Sequence, residues 1–390
     1  MLIVDIGVNH DSAALIHVDD QNFVNQNDCK VFDRLTYFKD INVDYYAVQF
    51  SGATWHPLCY ELERNEKESI SAKKTASKLI AVRNAIKLIN PKYYLPSAGP
   101  AIFPFLDDAL SLGSGNIFIH QPELHQKLKS LNTKVVYLKP GEQFETSKST
   151  RPIEPPSTSE LEEIKGELFC IFEKIKDDEF IPEKLLKEVN SRLSEIKDVK
   201  LGSCPKILFD WGDEYLEIDL IQSRAMIIDA SAYTLPDSYL RVSASKAYFS
   251  LMSNPEYNWQ DIALSLRVSI ERKPDILNTF ANIFLFSSTT NIRSGFTTTL
   301  DIKEERIAII NPLDGKNYEI DRYCPHNGAD LKDARIDTQG NLICPRHSWL
   351  FDLENKGNCR TAAASLNAKE VIETISLCDS ISARLLKLNE

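Results

Sequence analysis

No apolar run in the sequence approaches the roughly 18 residues that a membrane-spanning helix needs, so no transmembrane segment is expected. There is no long basic run either, and the net charge is -11. Nucleic acid is therefore a poor partner, and an acidic surface favours solubility. The first residues, MLIVDIGVNHDSAALIHVDD, lack the basic start of a signal peptide and read as a strand. Cysteine is sparse, at 8 in 390 residues. That count does not fit a disulfide scaffold, and a reducing, cytoplasmic compartment is expected. Internal repeats, low-complexity tracts and a phosphate-binding glycine loop are all missing.

The remainder is ordinary: 43% hydrophobic and 26% charged residues match a globular chain long enough for two or three domains. Residues 1–140 alternate short apolar runs with helical segments. MLIVDIG, SAALIHV, YYAVQF, KYYLPSAG and KVVYLKPG read as strands. KESISAKKTASKLIAVRNAIKLIN reads as a long amphipathic helix with Ala72, Ala76, Leu79, Val82, Ile86 and Ile89 on one face. Residues 141–160 are rich in Ser, Thr and Pro and read as a linker. Residues 161–290 form an α+β segment, with helices in ELEEIKGELFCIFEKI and PEYNWQDIALSLRVSIERKPDILNTFANIFLF and strands in KILFDW and YLEIDLI. A second boundary is expected near SSTTNIRSG, with short strands from 297 to 390. The fold class expected for the whole is α+β.

The chemistry concentrates near the C-terminus. Cys324 and His326 are spaced C-x-H, and Cys344 and His347 are spaced C-x-x-H. Two thiols and two imidazoles can hold one zinc ion, or they can hold the two irons of a Rieske [2Fe-2S] centre, where Cys₂ serves one iron and His₂ the other. A zinc finger more often pairs cysteine with cysteine and histidine with histidine. Here each element supplies one of each, and a proline follows each cysteine, which suits two rigid loops facing each other.

CPHNGADL and LICPRHSWLFDLENKGNC resemble the two cluster-binding loops of the Rieske family, over roughly residues 297–390. The resemblance implies Cys324 and Cys344 on one iron and His326 and His347 on the other. Ser348 is a candidate donor to a cluster sulfur. Trp349 and Phe351 are expected to pack in the core, and Cys359 and Cys378 to be buried thiols. Ring-hydroxylating oxygenases place a mononuclear iron domain, with a 2-His-1-carboxylate site, after the Rieske domain. No histidine follows His347 in this sequence, so that arrangement is not expected.

DIGVNHDSAALIHVDDQNFVNQNDCK, YYAVQFSGATWHPLCYE, INPKYYLPSAGPAIF and LKPGEQFE resemble the second half of a metallo-β-lactamase-fold domain. The subgroup resembled is CMP-N-acetylneuraminate hydroxylase, which joins such a domain to a Rieske domain, in the opposite order. The likeness implies a partial αββα domain over 1–140, an α+β middle region and an all-β Rieske domain. The H-x-H-x-D-H metal motif of that fold's first half is absent, so the chain is expected to begin inside the domain. His10 and Asp28 match its remaining ligand positions and are candidate ligands of a mononuclear iron; His56 falls in a candidate substrate-side loop.

The function so implied is electron delivery through the cluster to an oxygenase or hydroxylase reaction on a small molecule, with a sugar nucleotide as a family-level candidate. The alternative is a Rieske ferredoxin-like electron carrier with a degenerate second domain. Either needs an electron-donor protein such as a ferredoxin, cytochrome or reductase, and neither needs nucleic acid or a membrane.

Overall fold

Residues 12–27 form a hairpin whose strands, β2 (Ser12–Val18) and β3 (Gln21–Asn27), are antiparallel, with Val18 opposite Gln21. Asp19 and Asp20 make the two-residue turn with φ of 48° and 61°, the doubly positive geometry that follows the twist of the strands. With β1 (Leu2–Asp5), β4 (Tyr45–Gln49), β5 (Tyr93–Ser97) and β6 (Lys134–Val135), the hairpin builds a six-stranded sheet in sequence order. β1 to β3 are antiparallel; β3 to β6 are parallel. The last strand is shorter than expected because the chain turns aside after Val136. The Tyr137 N–H bonds the Thr150 hydroxyl instead of another strand.

The crossover from β4 to β5 is α1 (Arg64–Ile89), ended by Asn90 in the left-handed conformation. Its inward stripe is rotated from the expected face. Leu79, Val82, Ile86 and Ile89 are buried with Ala85, but Ala72 and Ala76 are exposed and Ser71 points inward. Alanine carries too little apolar surface to fix the phase of a helix against the larger side chains that follow. Short helices α2 (Asp108–Ser111) and α3 (Gln121–Leu128) complete the region. Its core joins Val24, Tyr46, Val48, Val82, Ile86, Tyr94 and Leu124.

Residues 141–157 are irregular, and a core packs residues on both sides of them together. Leu58, Tyr60, Ile117 and Phe118 pack with Leu185, Phe209, Phe249, Trp259 and Phe284. The middle region contains α4 (Thr158–Phe172), α5 (Pro182–Ser194), α6 (Lys246–Met252), α7 (Trp259–Leu264), α8 (Thr279–Phe286) and α9 (Thr289–Leu300). Its sheet, ordered β11-β10-β7-β8-β9, uses β7 (Lys206–Asp210), β8 (Glu214–Asp219), β9 (Arg224–Asp229), β10 (Tyr239–Ser243) and β11 (Ser269–Lys273).

Two expectations change here. The helical reading of residues 255–286 is interrupted: β11 lies within it, paired antiparallel to β10, and Leu266 (φ 58°) breaks the helical path. Most of the stretch SSTTNIRSG, expected as a boundary, belongs to α9, which starts at Thr289. Ile292 and Phe296 bury one face of that helix, and the Thr297 and Thr299 hydroxyls bond carbonyls four residues back.

The computed structural model describes residues 2–5, 12–29, 32–52, 54–104, 106–113, 115–172, 180–302, 305–326, 328–346 and 348–371. The chain divides into two units, 1–301 and 302–390. In the second, β12 (Arg306–Ile310), β13 (Asn317–Asp321) and β18 (Lys369–Val371) form one antiparallel sheet. β14 (Arg335–Ile336), β15 (Asn341–Ile343), β16 (Leu350–Asp352) and β17 (Asn358–Cys359) form another. Its strands begin at Arg306 rather than 297. The chain as a whole mixes helix and sheet, as an α+β class requires, and its C-terminal unit is all β among the described residues. No described helix is long and apolar enough to cross a membrane.

Candidate metal centre

In the C-terminal unit, two loops each begin at a cysteine and close with the same pair of backbone hydrogen bonds. The Cys324 N–H donates to the Ala329 carbonyl at 2.9 Å, and the Gly328 N–H donates back to the Cys324 carbonyl at 2.8 Å. In the second loop the Cys344 N–H donates to the Trp349 carbonyl at 2.9 Å, and the Ser348 N–H to the Cys344 carbonyl at 2.9 Å. The fifth residue of each loop is left-handed: Gly328 at φ 62° and Ser348 at φ 59°. Glycine takes that conformation freely; serine is held there against its preference.

The loops are mounted differently. The second is the turn of the β15–β16 hairpin, whose last pair is Ile343 opposite Leu350. The first is closed by a bridge between Tyr323 and Asp330 and by the Leu331 N–H donating to the Arg322 carbonyl. Arg322 spans its base, with Nε and Nη2 on the Asp330 carboxylate, the shorter bond at 2.7 Å, and Nη1 on Glu305 at 3.0 Å. The guanidinium holds the Asp330 carboxyl below the usual carboxylate range.

Both thiols are buried, each 1% exposed. They sit in a small core with Tyr318, Ile320, Leu331, Leu342, Phe351 and Leu366. His326 is half-buried, and its ring stacks on the Trp349 indole at a centroid distance of 4.2 Å and an angle of 10°. Phe351 is fully buried, as expected, but Trp349 does more than fill the core, because it braces an imidazole of the other loop. Trp349 and Ala329 occupy equivalent loop positions, a relation visible only once the backbone bonds are known. Arg346, buried between the second thiol and the hairpin end, had no signal in the sequence beyond its place in the motif.

Two buried thiols at the heads of matching loops, with a half-buried imidazole on the first of them, suit a cluster bound by thiolate and imidazole ligands. His347 lies outside the described residues, as do His10 and Cys378. Asp28 is an exposed turn residue after β3. Among the described residues no group of three or more His, Cys, Asp or Glu side chains is arranged to hold a metal ion. Cys359, expected to be buried, is half-buried on β17 because only one face of that two-residue edge strand meets the core. His56 is half-buried in its loop, and burial, with Lys74 and Arg272 near, lowers its pKa to about 3.

A family model for the Rieske [2Fe-2S] domain matches residues 282–372. The chain is similar to a protein of Mycolicibacterium smegmatis named for a Rieske 2Fe-2S iron-sulfur protein, 23% identical over 86% of this chain and 69% of the relative. A protein of the same description from Mycobacterium tuberculosis (strain H37Rv) is 24% identical, over 90% of this chain and 72% of its own length. A cholesterol 7-desaturase of Xenopus laevis is 40% identical, over only 14% of this chain and 12% of the relative. No solved structure matches. The chain thus carries a Rieske domain, within the matched residues 282–372, and the domain indicates a [2Fe-2S] cluster.

Proposed function

From a chain that carries a Rieske domain, we propose a protein that delivers electrons to an oxygenase or hydroxylase reaction, with Cys324 and Cys344 ligating one iron and His326 and His347 the other. The observation that carries the ligand assignment is the pair of matching loops, each with a buried cysteine at its head. The cluster, when bound, supplies one-electron transfer at a potential raised by its imidazole ligands. The protein's own residues keep it dry and oriented. The two N–H···O bonds of each loop fix the thiols, and the Trp349 indole fixes the His326 ring.

The oxygenase reading draws on the segment shared with a protein named as a desaturase, which also belongs to oxidative chemistry. The finer reading places the acceptor iron in a metallo-β-lactamase-like N-terminal region, with His10 and Asp28 as ligands. The mixed six-stranded sheet with α1 crossing between parallel strands supports it. A sugar nucleotide is the candidate substrate, and a ferredoxin, cytochrome or reductase the candidate donor.

Anaerobically purified protein is expected to contain acid-labile sulfide in amounts equal to its cluster iron and to give a Rieske-type EPR signal on reduction. Zinc without sulfide would overturn the assignment. His347→Cys should keep a cluster but lower its potential, because a thiolate adds negative charge. For the finer reading, Asp28→Ala should remove non-cluster iron and leave the Rieske signal intact; iron content unchanged in that variant would remove Asp28 from the proposal.

A further inference from the structure

The inward stripe of α1 changes character halfway along. From Leu79 onward it is apolar, but its N-terminal half presents Ser71, Lys74, Thr75 and Lys78, spaced as one helical face. Because α1 connects the parallel strands β4 and β5, this half stands at their carboxyl ends. Ligands of α/β sheets commonly bind at that edge.

The same edge collects hydroxyls. Ser97 ends β5 opposite Gln49, and Ser51 follows β4 and abuts the backbone of Gly99. A Cβ at Gly99, whose φ is 145°, would come within 2.9 Å of the Ser51 side chain, so only glycine fits there. Gln49 ties the parts together: its Nε2 donates to the Ala98 carbonyl, and its Oε1 accepts from Lys78 Nζ at 3.2 Å. Lys74 Nζ donates to the His56 carbonyl at 2.8 Å.

The side-chain oxygens of Ser51, Ser71, Thr75 and Ser97 are all buried without a hydrogen-bond partner. Ser51 and Ser71 have no exposed surface at all. Folded proteins satisfy nearly all such groups, so four on one edge call for a common explanation. Hydroxyl and ammonium donors gathered along one sheet edge are complementary to a group with several acceptor oxygens and negative charge. A water could satisfy a hydroxyl, but the two ammonium groups favour an anionic oxygen. The neutral state of His56, which burial imposes and Lys74 and Arg272 reinforce, is consistent with a positive local field.

We propose that the N-terminal half of α1 and the carboxyl ends of β4 and β5 form a binding site for an oxyanion, the phosphate or carboxylate of a small molecule, held by Lys74, Lys78 and the hydroxyls of Ser51, Ser71, Thr75 and Ser97. The site lies wholly within residues 1–301. It does not depend on the cluster assignment, and its test is read without iron chemistry.

The test uses the full chain, with inorganic phosphate and acetate titrated against chloride at equal ionic strength, followed by calorimetry and thermal unfolding. Phosphate is expected to bind saturably and to raise Tm with the logarithm of its concentration. Binding of both anions identifies a general oxyanion site, whereas binding of one alone identifies the source. Lys78→Gln and Thr75→Val should each weaken binding by roughly tenfold or more. Ser71→Ala should weaken binding yet leave the unliganded Tm unchanged or higher, since it removes a hydroxyl that has no partner. No shift beyond chloride for either anion overturns the site, leaving ordered water as the occupant. So does an equal shift in Lys78→Gln and Thr75→Val, or a lower unliganded Tm in Ser71→Ala.

Discussion

The two cysteine loops of the C-terminal unit share a pattern of main-chain hydrogen bonds and little else. Both make the same pair of N–H···O bonds and place a left-handed residue fifth. One sets its histidine two residues after the cysteine, the other three. One is glycine at the left-handed position and alanine after it; the other is serine and tryptophan. One is closed by a single bridge and a partly exposed ion pair, the other by a strand ladder. Main-chain hydrogen bonding therefore fixes where the thiols lie, and side chains are free to differ where only the surroundings of the ligands change. Four experiments can break or sharpen that equivalence.

The largest effect is expected from the thiols. Cys324→Ser and Cys344→Ser should each abolish the cluster completely, read as loss of acid-labile sulfide and visible absorbance. A cluster retained in one variant alone would show that the loops are not equivalent.

Next are the residues after the left-handed position. Trp349→Ala removes both the stack on His326 and core contacts, at a cost of about 3 kcal/mol in urea unfolding of the C-terminal unit. The reciprocal change, Ala329→Trp, has no room at a residue 1% exposed and should be at least as damaging. A well-folded Ala329→Trp variant would mean that the first loop is more open than its burial indicates.

The left-handed positions should respond in opposite directions. Gly328→Ala forces a side chain into φ 62° and should cost about 1–2 kcal/mol. Ser348→Gly relieves φ 59° and should be neutral or up to about 1 kcal/mol more stable. Destabilisation by Ser348→Gly would assign the hydroxyl a part in holding the loop.

The smallest effect concerns the ion pair at the base of the first loop. Arg322 depresses the Asp330 pKa below its unfolded value near 3.8. The pair therefore stabilises fully above that value, and its contribution is lost as pH falls through the lower folded pKa. Both side chains are substantially exposed, so less than about 1 kcal/mol is at stake. Asp330→Asn should flatten the acid limb of the stability curve below about pH 4. An unaltered acid limb would show that the loop is closed by the backbone bridge alone.

The sequence by itself determined the candidate centre and most of the elements around it. Cys324, His326, Cys344 and His347 stand out as the proposed ligands because cluster ligation demands particular side chains at short spacing, and short spacing survives in one dimension. β2, β4, β5, β7, β8 and α1 are legible for the same reason: period and composition are local. What only the tertiary structure decided is non-local. β11 interrupts a stretch with helical composition because β10 offers a partner. The segment expected as a boundary becomes α9 because Ile292 and Phe296 find a core in residues far upstream. The stripe of α1 is phased by the sheet beneath it, which brings Ser71 inward and leaves Ala72 and Ala76 in solvent. Trp349 reaches His326 only because two hairpin-like loops meet. Burial and partnership depend on what the rest of the chain brings within a few ångströms, and no local pattern records that.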